Sequence, residues 1–489
     1  MEIGAGGHGW KGGTMGGKRT MLLVRGVAVI MMLTGLSVLD ACGPDTTAKQ
    51  DESSGKSAMK ASSTASKAAA GERGSRTIPQ PVIPGDIPVA PESKRVDLSV
   101  PTFSDPTKVI NPLFPVSKQE SVLMVGHVDG KPFRTEVTLL PETRIIEWRG
   151  QRVETLVSQY TAYLDGRIQE VAYDLYAQAD EGSVWYFGED VADFEDGAIV
   201  TKEGTWTAGK DGPPAMIMPA NPKVGDTYRT ENLPGIAFEE VTVKRVGKTL
   251  DGPLGPVKGG LVAQELHMDG KTEGKLFAPG YGEFYTADGS DVEALALAVP
   301  TDSLSGSLPP ELDTLSNGAL DIFDAAQSND WNAASASVGK MSSAWETYRT
   351  GEVPKKIEPR MSEALAALSR AVDASNTEQA RQAAIDATQW SLDLRLQYRP
   401  QTEIDLARLD LWAAQIMVDA AAGDAGAVNG DVFTLEYIRD RILNTLHGAD
   451  TTRVNTELLK LQVATADGDL AAASDAAERL RNILGQLRN

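Results

Sequence analysis

Residues 151–178 read QRVETLVSQYTAYLDGRIQEVAYDLYAQ, and this stretch decides how the first half of the chain folds. Two runs rich in β-branched and aromatic residues, Val153–Tyr163 and Ile168–Ala177, flank Asp165-Gly166. Asp-Gly between such runs reads as a two-residue hairpin turn, because both turn positions need positive φ. The pattern extends both ways. Asp129-Gly130, Glu181-Gly182, Asp196-Gly197, Asp211-Gly212, Asp251-Gly252, Asp269-Gly270 and Asp288-Gly289 punctuate residues from about 118 to 298. Residues 121–126 are apolar at nearly every position, as in a strand covered on both faces. Such frequent turns, with no helical stretch between them, predict an antiparallel β meander over 106–300 that closes into a barrel-like or sandwich sheet.

Past Pro309-Pro310 the period changes. Asp330, Thr377, Asp424 and Asp469 recur at spacings of 47, 47 and 45 residues, and each is a good helix N-cap. Eight residues after them stand Val338, Ile385, Val432 and Ala477; after eleven, Met341, Thr388, Leu435 and Leu480; after fifteen, Trp345, Leu392, Arg439 and Leu484. These offsets trace one face of a helix. Each cap follows another helical stretch, such as 356–374 and 403–422. The expectation is an all-α repeat of four helix hairpins over 317–489. Two stacked four-helix bundles suit it best, with a short solenoid as the other arrangement. A linker, 301–316, is expected to separate two folding units. Arg439 breaks the apolar stripe, so it should pair with Asp405 or Asp410, or snorkel to solvent.

The 489 residues are 41% hydrophobic and 24% charged, enough to bury a core. The net charge is -21, which argues against nucleic acid as a partner. The single cysteine excludes internal disulfides and cysteine-based zinc sites. That cysteine ends an apolar run. Residues 26–39 read GVAVIMMLTGLSVL, follow Lys18, Arg19 and Arg25, and lead into Leu39-Asp40-Ala41-Cys42. This resembles the signal peptide and lipobox of bacterial lipoproteins. The resemblance implies a signal peptide over 1–41, starting at Met1, Met15 or Met21, and a diacylglycerol on Cys42. It places the protein in the bacterial cell envelope, on the extracytoplasmic side of a membrane. Residues 42–105, rich in Ser, Ala and Pro, are expected as a disordered tether.

In the β region, Asn111-Pro112-Leu113-Phe114-Pro115, Tyr173-Asp174-Leu175-Tyr176-Ala177-Gln178 and Gly182-Ser183-Val184-Trp185-Tyr186-Phe187-Gly188-Glu189 resemble an uncharacterised group of secreted bacterial proteins. That likeness implies fold and location, not activity. The helical region is topologically similar to the imelysin and periplasmic iron-uptake bundles. Their G-x-H-x-x-E metal motif is absent around His447.

Two groups of residues invite a site. Trp185, Tyr186, Glu189, Asp190 and Asp193 combine aromatics with acids, near Asp174. They read as a solvated acidic hairpin, an oxygen-ligand cation site, or a carboxylate pair for sugar cleavage. Tyr398, Arg399, Asp405, Arg408 and Trp412 gather about the Pro400 turn. They read as a pocket for a small anion or as a structural ion-pair network. His127 and His267 lie on strands without a second histidine nearby. No catalytic residue, metal or cofactor is called. The expectation is a lipid-anchored, non-enzymatic binding or scaffold protein, with a possible protein partner at the helical domain. The alternatives are a periplasmic carrier for a metal ion or apolar ligand, and an Asp/Glu-dependent carbohydrate-active enzyme.

Overall fold

The computed structural model describes residues 76–487, apart from Pro79, Pro84 and Asp86. Its first meander runs β1 (Ser121–Val128), β2 (Lys131–Trp148), β3 (Gln151–Leu164), β4 (Arg167–Gln178) and β5 (Val184–Glu195). Asp129-Gly130, Asp165-Gly166 and Asp196-Gly197 each have both residues at positive φ, between 50° and 77°, as the tight hairpin requires. Arg149-Gly150 makes the same turn between β2 and β3 without an aspartate to signal it.

Three short strands, β6 (Ala198–Thr201), β7 (Trp206–Thr207) and β8 (Ala215–Met218), all pair with β5. A second meander follows: β9 (Thr227–Leu233), β10 (Ala237–Asp251), β11 (Pro256–His267), β12 (Thr272–Ala278), β13 (Gly282–Asp288) and β14 (Asp291–Val299). It returns so that β14 pairs with β1. The fourteen strands form one antiparallel sheet, curled so that Tyr186 and Trp206 share a core with Tyr228, Val241, Leu261 and Phe277.

The sheet does not close, contrary to the expected barrel or sandwich. Its path ends at β6 and β9. The outer edge of β5 is already taken by β6, β7 and β8. The edge of β9 is covered by the preceding segment, where the Val96 N–H donates to the Thr227 carbonyl at 2.9 Å. This also corrects the expected tether. Within 76–105, Ile78 and Ile87 are buried, and Asp97 accepts from both Arg95 and the Arg229 N–H. The Pro-rich part is a strap on the sheet.

Eight helices follow: α1 (Pro310–Gln327), α2 (Trp331–Tyr348), α3 (Glu358–Asp373), α4 (Thr377–Arg395), α5 (Gln401–Ala422), α6 (Ala425–Arg441), α7 (Ala449–Ala466) and α8 (Leu470–Leu487). They make two four-helix groups with separate cores. In each group the first helix packs on the second and the fourth, and the third on the fourth. Asp330, Asp424 and Asp469 cap their helices, each accepting from the N–H three residues on. Asn376, not Thr377, caps α4, so the second repeat begins one residue earlier. Met341, Trp345, Leu392, Leu435, Leu480 and Leu484 are buried, as the stripe requires. The expected separate units instead share a core. Leu123, Val125, Leu297 and Val299 of the sheet pack among α1–α4, and α1 starts inside the stretch expected as linker.

The second bond between sheet and helices is ionic. Glu136 of β2 accepts from Arg441 Nη1 at 2.6 Å and from Arg134 at 2.7 Å, and lies 3.4 Å from Arg408 Nη1. Arg408 also meets Asp393 at 2.9 Å and Asp405 at 3.0 Å, and Arg134 meets Asp393 at 2.7 Å. Three arginines thus balance three carboxylates in a contact where Asp405 is 0% and Arg408 1% exposed at the side chain. The arginines hold the Glu136 carboxyl well below its usual range, against the cost of burial.

Arg439 takes no part. It pairs with its neighbour Asp440 and keeps 31% of its side chain exposed. Asp410 pairs with Arg481. Besides Arg408, the buried arginine facing Asp405 is Arg441 of α6, 3.6 Å away, which also reaches Glu136 of the sheet. Removing one member of a buried ion group strands the others. Arg441→Met should cost about 3–5 kcal/mol in chemical denaturation. Arg439→Met should stay within about 0.5 kcal/mol. Equal losses would refute this assignment.

Candidate functional site

Side chains alternate across a strand, so the face opposite Glu136 follows from the register. Ser158 stands beside Asp174, and Asp174 beside Glu189; Ala162 stands beside Glu170, and Glu170 beside Asp193. All four acids are buried. On β14, Glu293 lies opposite Gly126 and accepts from the Thr135 hydroxyl. Gly126 has no room for a side chain, since a Cβ would meet the Val292 carbonyl at 1.6 Å.

All of these acids except Asp193 line a cavity of about 90 Å³. Apolar groups of Phe114, Val122, Met124 and Val137 form part of its wall, with Tyr160 and Tyr176. Five carboxyls reach it, those of Glu170, Asp174, Glu189, Glu283 and Glu293, and its lining includes no lysine, arginine or histidine. Burial pushes the Asp174 carboxyl up to about 7, although the Tyr186 hydroxyl donates to it at 2.7 Å. Burial, then the neighbouring Glu283, pushes Glu293 up to about 8. Glu293 is 1% exposed, and its Oε2 has no hydrogen-bond partner.

Farther along the second meander, Glu239, Glu265 and His267 bring ligand atoms within 4.8 Å of one another. Among the described residues this is the one grouping of that kind.

The structure divides the residues singled out in the sequence. Glu189 and Asp193 share the inner face with Asp174, and of the two Glu189 lines the cavity. Asp190 lies on the other face, exposed, and pairs with Arg144. Trp185 and Tyr186 are core residues: the Trp185 indole donates to Ser183, and Tyr186 stacks on Tyr176 at 5.1 Å. In the second group, Asp405 and Arg408 belong to the ionic contact around Glu136. Trp412 stacks on Tyr163 of β3 at 5.3 Å, and Tyr398 packs on the first helical core beside Tyr348. Arg399 is at the surface, 3.6 Å from Glu403. The five therefore form no common pocket. Cys42 lies outside the described residues.

Glu170, Glu239, Glu265, Glu283 and Glu293 were missed in the sequence. The available signal was parity: Glu265 shares its strand face with Leu261 and Ala263, and Asp174 with Ala172 and Tyr176. An acid at an apolar position marks a buried carboxyl.

The chain matches no protein-family model, no curated protein and no solved structure.

Asp174 and Glu293 hold their protons more tightly when folded than when unfolded. Their stabilising contribution is complete below the ordinary values of 3.8 and 4.5, and is lost as pH rises through about 7 and about 8. Thermal stability should therefore fall between about pH 5 and about pH 8. Glu293→Gln, which keeps the shape but cannot ionise, should flatten that fall. A variant with the full slope would show that Glu293 titrates normally.

Proposed function

We propose that this chain is a non-enzymatic binding protein, held by a lipid on Cys42 at the extracytoplasmic face of a bacterial membrane, and that its sheet cavity takes a small organic cation. The observation that carries the ligand reading is a cavity with five carboxyls and no basic side chain in its lining. Burying several carboxylates together is expensive unless they are protonated or a cation joins them. Tyrosine and phenylalanine faces beside carboxylates favour an ammonium group, through cation–π attraction and charge. The volume limits the ligand. A cavity of about 150 Å³ holds benzene, so about 90 Å³ suits a smaller group. The acids disfavour the purely apolar ligand.

Two experiments test the two halves of the reading. Cys42→Ser should move the protein from the membrane fraction to the soluble fraction; a variant that stays with the membrane places the anchor elsewhere. For the cavity, methylammonium should raise Tm in a saturable way, whereas methanol, similar in size and uncharged, should not. Glu293→Gln should abolish the response. Equal responses to the two compounds, or a response that survives Glu293→Gln, would contradict the assignment.

A further inference from the structure

We propose that Glu239, Glu265 and His267 bind one divalent transition-metal ion, at a site distinct from the cavity, since none of the three lines it. Glu239 on β10 stands opposite His267 on β11, and Glu265 is two residues before His267 on the same strand face. Three ligand side chains therefore project to one side of two adjacent strands. Their ligand atoms lie within 4.8 Å of one another. A tetrahedral ion with bonds of about 2.1 Å holds its ligands about 3.4 Å apart, so modest side-chain rotations complete the set.

The His267 ring points into this group between the carboxylates of Glu239 and Glu273. It is 9% exposed, and Nδ1 lies 3.5 Å from Glu239 Oε1 with no hydrogen-bond partner. A buried imidazole nitrogen left open beside two carboxylates is where a metal would sit. The surroundings fit the part of orienting groups. The Thr230 hydroxyl spans the two carboxylates, 3.1 Å from Glu239 and 3.2 Å from Glu265. Nε2 faces Glu273 at 3.7 Å, the arrangement that fixes a metal-bound histidine from behind. Charge agrees. Lys275 lies 2.6 Å from Glu265, 3.6 Å from Glu273 and 3.8 Å from Glu283, so a single lysine faces three carboxyls. One imidazole and two carboxylates suit zinc, manganese or ferrous iron rather than the all-oxygen set of calcium.

The full chain, stripped with a chelator and desalted, is titrated with Zn²⁺ by calorimetry and loaded with Zn²⁺ for X-ray absorption. The expected result is one saturable equivalent with imidazole scattering in the absorption spectrum. His267→Gln, with unchanged far-UV circular dichroism, should weaken binding at least tenfold, and Glu293→Gln should leave it unchanged. Absence of saturable binding, or a loaded wild-type spectrum without imidazole, overturns the proposal. The second outcome needs no variant to fold. Equal loss in Glu293→Gln would put the ion in the cavity and overturn it as well. If Lys275 and a charged His267 simply neutralise the carboxylates, stripping will release nothing and Zn²⁺ will not bind.

Discussion

Glu136 carries a negative charge into the dry contact between the sheet and the helices, and the rest of the architecture is arranged around that charge. Arg134 comes from the same strand, Arg408 from α5 and Arg441 from α6. Asp393 and Asp405 balance the excess. Such a group contributes little net stability over an apolar contact of equal volume, but it tolerates no missing member. What it contributes is register. A one-residue slip of β2 would turn Glu136 away from its arginines and bring Thr135 to face them. The contact therefore fixes which side of the sheet meets the helices, and by alternation which side faces the interior.

The same sheet holds two populations of buried acid with opposite electrostatics. On the helix side, guanidinium groups keep Glu136 ionised. On the interior side, Asp174 and Glu293 have hydroxyl partners, and burial raises both although Lys275 opposes the rise at Glu293. Tyr186 and Thr135 donate to them, which supplies hydrogen bonds but no positive charge. The difference comes from what packs opposite each face. Helices bring Arg408 and Arg441 to one; the other meets the strands of its own curled sheet, where Lys275 is the basic side chain near Glu283. An interior built this way makes a costly structural core, and an added positive charge would offset that cost.

Local chemistry was legible in the sequence. Asp165-Gly166 and its counterparts gave the hairpins, and the recurring caps gave the duplicated bundle to within one residue at Asn376. Long-range pairing was not legible. Nothing near β5 says that β6, β7 and β8 will occupy its edge and keep the sheet open. Nothing near Arg408 says that it will meet Glu136 of β2, and nothing near Asp405 points to Arg441 of α6; the expected partner, Arg439, is two residues from Arg441. The acids of the cavity come from four strands, β4, β5, β13 and β14, up to about 120 residues apart in the chain. Only their placement at apolar positions in alternating strands marked them.

The claim that holds these points together is that one sheet keeps ionised acids on its helix face and proton-holding acids on its inner face. Carboxyl-labelled ¹³C NMR of glutamate side chains, followed against pH, tests it directly. The account predicts that Glu136 stays ionised throughout the range in which the protein is folded, that Glu293 titrates near 8, and that methylammonium moves Glu293 downward. Glu136 and Glu293 titrating together in the ordinary carboxylate range would contradict it.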